Sequence, residues 1–342
     1  MPVSPATKPN MTDRDLQDLG IYPLYVPMPF FGAGGSTNAY LIELEQGLLL
    51  FDAVVATPPA EAALADAVSR AGRRLADIGR IVLSHGHVDH YGGARGVAER
   101  AGQSIPVFAH PDDVAKVAES GWPWKQRKVQ YVSYLARLGV PQELATAAVD
   151  RIGLTFSLGK RVPRVQTIDA GEVIRAKHLE LEVLHLPGHT PGCIALHDRR
   201  SGLFLGGDQL LEKVSPNPLI ELTLDGADGH FKPLVAHLRS TERMRALGVS
   251  LVLPGHGRPF ANHRDIIDCQ MHLHRERQER ICQHLADQPL TGFELSQLLF
   301  PKAEVDDLFL AVSEAIAHLE VLEDASTVRR QFGEAGTRFF LS

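Results

Sequence analysis

Residues 81 to 93 read "IVLSHGHVDHYGG", an apolar run that ends in three histidines and an aspartate within six positions. Imidazole nitrogens and carboxylate oxygens at that density are donors for divalent metal ions. His85 and His87 are alternate residues at a strand end, so their side chains can converge on one cation. Asp89 and His90 fall one turn further on, at the start of a following helix, and can serve a second cation. Gly86 is read as relieving crowding between the two histidines, and Gly92 and Gly93 as allowing a tight turn beneath the site. A histidine-rich surface loop is the competing reading. One metal needs at least about three protein ligands, so the chain should supply more. It does: His189 follows "LEVLHLPG", Asp208 follows "LFLGG" and His256 follows "SLVLPG". Buried strand, glycine-bearing turn and candidate ligand thus recur together, and chance accounts poorly for that. No Ser–His or Cys–His pair is required.

The elements that must aim these groups are strands. "IYPLYVPM", "NAYLIELEQGLLLFDA", "IVLS" and "IPVFAH" read as strands in the first half, with a helix over 59–77 between them and another starting at "PDDVAKVAES". Residues 120–165 read as helical, are rich in aromatics and show no period-2 pattern until "LELEVLHL". They are an insertion between two strand-rich halves, either a cover for the site or a packing arm. "LELEVLHL", "CIALHD", "LFLGGD" and "SLVLPGHG" supply the second set of strands, with a helix over roughly 228–247. Beyond Asn262 a long polar helix reads as a connector. His272, His274 and His284 lie on it and read as part of a solvated face. Thr291 and Glu294 form a capping box, a third helix covers 304–323, and the chain closes in a hairpin. The expected domains are a flexible tail over 1–19, a catalytic domain over 20–262 and a small winged-helix-like domain over 263–342.

Bulk properties narrow the class. A chain of 342 residues with 44% apolar content fits one large domain plus a small one. The net charge of −6 gives no general affinity for nucleic acid or anionic lipid, and no apolar run approaches a membrane span. The first residues lack a signal-peptide layout, and three scattered cysteines make no disulfide framework, so the cytoplasm is the default compartment. Sixteen histidines are the compositional trace of metal. Cys193 reads as a buried structural thiol, and His110 and His185 as structural or supporting groups.

The ordered motifs HxHxDH, "PGHTPG", "GGD" and "PGHG" resemble those of the metallo-β-lactamase superfamily over roughly residues 20–262. The resemblance implies an α/β fold, an αββα sandwich with a two-metal site between its sheet edges. By motif, His85, His87 and His189 would hold the first metal, Asp89, His90 and His256 the second, and Asp208 would bridge them. Asp52, closing "LLLFD", matches the acidic residue that supports the site from behind. Two divalent cations roughly 3.5–4 Å apart lower the pKa of a shared water and supply hydroxide for attack on a carbonyl or phosphoryl centre. Asp89 would orient that nucleophile. Zinc is the leading ion for an all nitrogen-and-oxygen donor set, with iron or manganese as alternatives.

The bridging position is Asp208 rather than the cysteine of many antibiotic-cleaving members, and residue 87 is histidine where di-iron members carry glutamate. Both features imply a hydrolase of the broad type. No tyrosine lies between His189 and His256, which weighs against a lactonase, and neither a glutathione-binding signature nor the β-CASP motifs are present. The likeness is to the β-lactamase-like 2 subgroup, on its C-terminal domain and the "SPNPLI" segment, residues 215 to 220. Members of the wider group include a single-strand endoribonuclease and thioesterases for carrier-bound acyl chains. The third C-terminal helix carries no Lys or Arg among many acids, and "KQRK" and "HRERQER" are short, so charge disfavours nucleic acid. The expected activity is hydrolysis of an ester-like acyl bond, thioester or oxyester, on a small-molecule or carrier-bound substrate. A metal-dependent phosphodiesterase or RNase, a lactonase, and a non-catalytic metal protein are the alternatives. Phe30, Phe31, Trp122, Trp124, Tyr131 and Tyr134 are the candidate walls of the acyl pocket, and a homodimer is compatible with the sequence.

Overall fold

The computed structural model describes residues 11–28, 35–118, 124–222, 230–333 and 336–342, with backbone alone at 124–126 and 230. Two sheets face each other. The first holds β1 (Ile21–Pro27), β2 (Ser36–Glu43), β3 (Leu48–Phe51), β4 (Ile78–Val82), β5 (Val107–Ala109) and β6 (Val165–Thr167) in that order. β1, β2 and β3 pair antiparallel, and β3 through β6 pair parallel. The second holds β7 (Val173–Arg175), β8 (Glu180–His185), β9 (Ile194–Asp198), β10 (Leu203–Gly207) and β13 (Leu251–Pro254), with β10 and β13 parallel. Between the last two, β11 (Glu221–Leu222) and β12 (His230–Phe231) form a separate short pair.

Period-2 alternation makes this a four-layer stack. Along β2 and β3, Ala39, Leu41, Leu48 and Leu50 face an outer core, while Tyr40, Ile42, Leu49 and Phe51 face the space between the sheets. Along β9, β10 and β13, Ile194, Leu196, Leu203, Leu205, Leu251 and Leu253 fill that same space. Their neighbours Ala195, Phe204 and Val252 point the other way, into the opposite outer core. Burying each large apolar side chain stabilises the fold by about 1.5–3 kcal/mol before entropy is counted. On the first sheet lie α2 (Pro58–Arg70), α3 (Val88–Tyr91), α4 (Ala94–Ala101) and α5 (Pro111–Ala118). On the second lie α8 (Pro233–Ala246) and the start of α9 (His263–Asp287), through Met244, Ile266 and Ile267. The αββα sandwich expected from the motifs is therefore the fold.

Several details differ from the sequence reading. Of the stretch 1–19, expected to be a loose tail, residues 13–18 form α1 (Asp13–Asp18), opened by a Thr12–Asp15 capping box. Leu16 anchors α1 in the core between the sheets. The helix over 59–77 stops at Arg70, before a left-handed Gly72, and a separate 3₁₀ turn follows. The insertion contains α6 (Trp124–Arg137) and α7 (Gln142–Phe156). Among the described residues, no helix is long and apolar enough to cross a membrane.

The C-terminal part holds the rest of α9, α10 (Gly292–Leu299), α11 (Leu308–Asp324) and a sheet of β14 (Leu290–Thr291), β15 (Val328–Gly333) and β16 (Gly336–Leu341). Thr291 and Glu294 do form the capping box. α11 is buried along almost its whole length and shares one core with α6, α7 and α9. Tyr131 and Tyr134 belong to that core, so both are built into packing rather than standing at an open pocket wall. Tyr131 Oη also donates to Ile220 O at 3.3 Å. Phe30, Phe31 and Trp122 lie outside the described residues, as does the Trp124 side chain.

Candidate metal centre

All seven motif residues meet at one end of the sandwich, at the carboxyl ends of β4, β8, β10 and β13. His87 caps α3, which presents Asp89 and His90 on its first turn. His85 Nε2 lies 3.1 Å from His87 Nδ1, which lies 2.9 Å from His189 Nε2. Asp89, His90, Asp208 and His256 form a second group, all buried. In each group the donor atoms lie within 4.8 Å of one another. Asp208 touches both: its Oδ2 is 3.7 Å from His189 Nε2 and 3.2 Å from His256 Nε2, and its Oδ1 is 3.4 Å from His90 Nε2. Asp89 Oδ2 completes the second group, 3.2 Å from His256 Nε2.

Four of the five imidazoles are aimed by a hydrogen bond on their other nitrogen. Asp52 accepts from the Ser84 backbone N–H and hydroxyl, both at 2.7 Å, and from His90 Nδ1 at 2.8 Å. Because the Ser84 hydroxyl donates to Asp52, it accepts from His85 Nδ1 at 2.9 Å, which leaves His85 Nε2 unprotonated toward the site. His256 Nδ1 donates to Ser36 O at 2.7 Å and His189 Nδ1 to Asn217 O at 3.2 Å. Glu221 Oε1 stands 3.9 Å from His87 Nε2. Such outer partners fix ring orientation and raise ligand basicity. Asp52 does so from a left-handed backbone, φ 63°, two residues before Val54 at φ 54°. A positive φ costs about 1–3 kcal/mol for residues other than glycine, and such strain gathers at functional sites.

The glycines have specific neighbours. A Cβ on Gly93 would overlap the Ala53 carbonyl, and one on Gly92 would come 2.9 Å from Leu158 O. Gly86 also lies close to α5. A Cβ there would meet Lys116 Cδ at 3.0 Å and Asp113 Cγ at 3.2 Å. Asp113 is a residue that motif reading missed. It accepts from Gly86 N–H at 2.7 Å, Thr190 Oγ1 at 2.6 Å and Gly192 N–H at 3.3 Å, tying the His85–His87 turn to the His189 turn. In sequence it looks like an ordinary first-turn acid of α5, and no signal marks it.

Electrostatics split the centre. Burial pushes the pKa of His85, His87 and His189 down, so this half is neutral and ready to donate lone pairs. In the other half burial opposes charge, but the carboxylates win: His256 rises to about 10 and His90 also rises. Asp89, which burial alone would raise, falls to about 2 beside His90 and His256, and Asp208 falls well below the usual range. His90 Nε2 and Asp208 Oδ1 are buried with no hydrogen-bond partner. Those unpartnered donors in one group, and three imidazole nitrogens turned toward one another in the other, fit a pair of divalent cations.

His110 and His185 stack on each other at 3.8 Å between ring centroids, and Cys193 is buried against Thr190 with its thiol pKa raised by burial. His274, expected on a solvated helix face, is buried instead at the seam with α11, where its Nδ1 lies 3.5 Å from His318 Nε2. His272 is exposed, as expected.

The family model of the metallo-beta-lactamase superfamily matches residues 32–256, which contain every one of these ligands. The chain belongs to the metallo-beta-lactamase superfamily. A second model, the metallo-beta-lactamase-like C-terminal domain, matches residues 278–342. The chain is 33% identical to the probable metallo-hydrolase YqjP of Bacillus subtilis (strain 168), over 92% of this chain and 95% of that protein. It is also similar to the crystal structure of the metallo-beta-lactamase family protein TTHA1429 from Thermus thermophilus. That match has 30% identity and a TM-score of 0.79, over 94% and 99% of the two chains. A beta-lactamase domain protein from Burkholderia ambifaria shares the fold at TM-score 0.76 and 22% identity, over 94% and 93% of the chains. This superfamily member is a metal-dependent hydrolase, and its candidate two-metal site points to divalent cations.

Proposed function

We propose that this hydrolase cleaves an ester-like acyl bond, thioester or oxyester, with two zinc ions held by the two donor groups. The observation that carries the reading is Asp208, whose carboxylate reaches the three-histidine group and the Asp89–His90–His256 group at once. Two cations held there would lower the pKa of a shared water and polarise the scissile carbonyl. The chain's own part is orientation. Asp52, Ser84, Ser36 and Asn217 hold the rings, and Asp89 and Asp208 offer carboxylate oxygens that can accept a proton from the attacking water.

Charge and burial favour an acyl substrate over a polynucleotide. α11 has no Lys or Arg and spends its surface on packing, so it offers no groove-reading face and no phosphate contacts. A small-molecule or carrier-bound acyl group is the proposed substrate, with Phe30, Phe31, Trp122 and Trp124 as proposed contacts for its apolar part. The test is a comparison of initial rates on an acyl thioester, an aryl oxyester and a phosphodiester, with zinc-loaded and metal-stripped protein. Metal-dependent turnover of either acyl reporter is the expected result. Dominant phosphodiester turnover would overturn it.

A further inference from the structure

Residues 209–222 leave the ligand Asp208 and run as a strap between the metal centre and the C-terminal part. Its inner side supports the three-histidine group. Asn217 O accepts from His189 Nδ1 at 3.2 Å. Glu221 lies 3.9 Å from His87 Nε2 and takes Lys116 Nζ at 2.5 and 2.6 Å. Its outer side is held by α9 and α11. Gln270 Nε2 donates to Leu211 O at 2.7 Å and Val214 O at 3.0 Å. His274 Nε2 pairs with the Ser215 hydroxyl at 2.9 Å, and the Ile220 N–H donates to Ser313 Oγ at 3.3 Å. Ile220 is packed in the core that α11 organises. By contrast, His85, His90 and His256 lean on Ser84, Asp52 and Ser36, which come from the first sheet and its loops.

Within the three-histidine group, His189 and His87 therefore face the strap while His85 leans on the first sheet, and the strap makes no such contact with His90 or His256 among the described residues. We propose that the C-terminal part positions the three-histidine half of the metal centre through the strap, with Gln270 and Ser313 as positioning residues for His87 and His189. The inference rests on the two-metal reading of the site. Removing the Gln270 amide leaves the buried Leu211 carbonyl and the part-buried Val214 carbonyl short of a partner, and the strap shifts to hydrate the buried one. A shift there moves the Asn217 carbonyl, which sets the angle of His189, and the Glu221 carboxylate that faces His87.

The test uses the full chain, stripped of metal and titrated with Co(II) alone or Zn(II) alone under chelator competition. Cobalt absorption reports ligand geometry, and His87→Ala identifies the binding class that belongs to the three-histidine group. Gln270→Leu and the milder Ser313→Ala should weaken that class by about tenfold and alter its cobalt spectrum. The other class should stay unchanged. Ser296→Ala removes an equally buried hydroxyl that, among the described residues, bonds within α10 to Phe293 O at 2.8 Å, and should bind like wild type. Unchanged affinities in both strap variants, or an equal loss in Ser296→Ala, would overturn the proposal. Wild-type protein that binds fewer than two equivalents would overturn the two-metal reading itself.

Discussion

Asp52 holds Ser84 twice, accepting from its backbone N–H and from its hydroxyl, each at 2.7 Å. Through that hydroxyl the carboxylate reaches His85, and directly it reaches His90, so one buried acid aims a ligand in each half of the centre. Asp52→Asn keeps a residue that tolerates positive φ but puts an amide donor where Ser84 or His90 already donates. Affinity for both metals should fall about 10- to 100-fold. Ser84→Ala should weaken the three-histidine group more than the other. Chelator competition on the two variants checks the order.

Gly255 offers a way to damage the centre without touching a ligand. A Cβ there would overlap Asp208 Oδ1 and come 2.7 Å from His90 Cε1. Gly255→Ala should cost one bound metal and most of the activity while all seven ligands remain. Gly248→Ala, with nothing within 4 Å, should stay within about 0.5 kcal/mol of wild type. Metal content per folded chain and melting midpoint separate the two outcomes.

Asp113 ties the turns that carry His85, His87 and His189. Asp113→Asn can keep one acceptor oxygen but loses the charge facing Lys116, 3.3 Å away. Affinity of the three-histidine group should drop about tenfold. Asp112→Asn, at an exposed neighbouring position, should leave it unchanged. Cobalt titration of both variants gives the comparison.

The seam between the two parts should be acid-sensitive. Burial, with His318 second, lowers His274 from 6.5 to about 4, and burial with His274 second lowers His237 to about 3. A histidine that resists protonation in the fold binds more protons when unfolded. Its stabilising contribution is complete above about pH 6.5 and is lost as pH falls toward the folded value. For His274 this is roughly 3 kcal/mol between pH 6.5 and 4. Melting midpoints of the apo protein should fall over that window, and His274→Asn should flatten the slope.

The ligands were legible because they follow apolar strands, directly or, for Asp89 and His90, on the short helix after β4, and such positions are rigid enough for chemistry to be read from them. The sandwich was legible through the resemblance their motifs carry, and the structure adds the alternation that sends Tyr40 and Phe51 to one core and Leu41 and Leu50 to another. Asp113, Lys116 and Glu221 were not, because a helix-turn acid and its basic neighbour look alike whether buried or solvated. His274 failed similarly: α9 is polar overall, and only tertiary packing shows which turn meets α11. β6 and β7 hold three residues each, too few for a period to register.

The central claim is two cations on one shared carboxylate, and anomalous diffraction from a metal-loaded crystal tests it most directly. Two peaks roughly 3.5–4 Å apart are expected. One should lie among His85, His87 and His189, the other among Asp89, His90 and His256, with Asp208 in contact with both. A single peak, or two with Asp208 bound to neither, would contradict it.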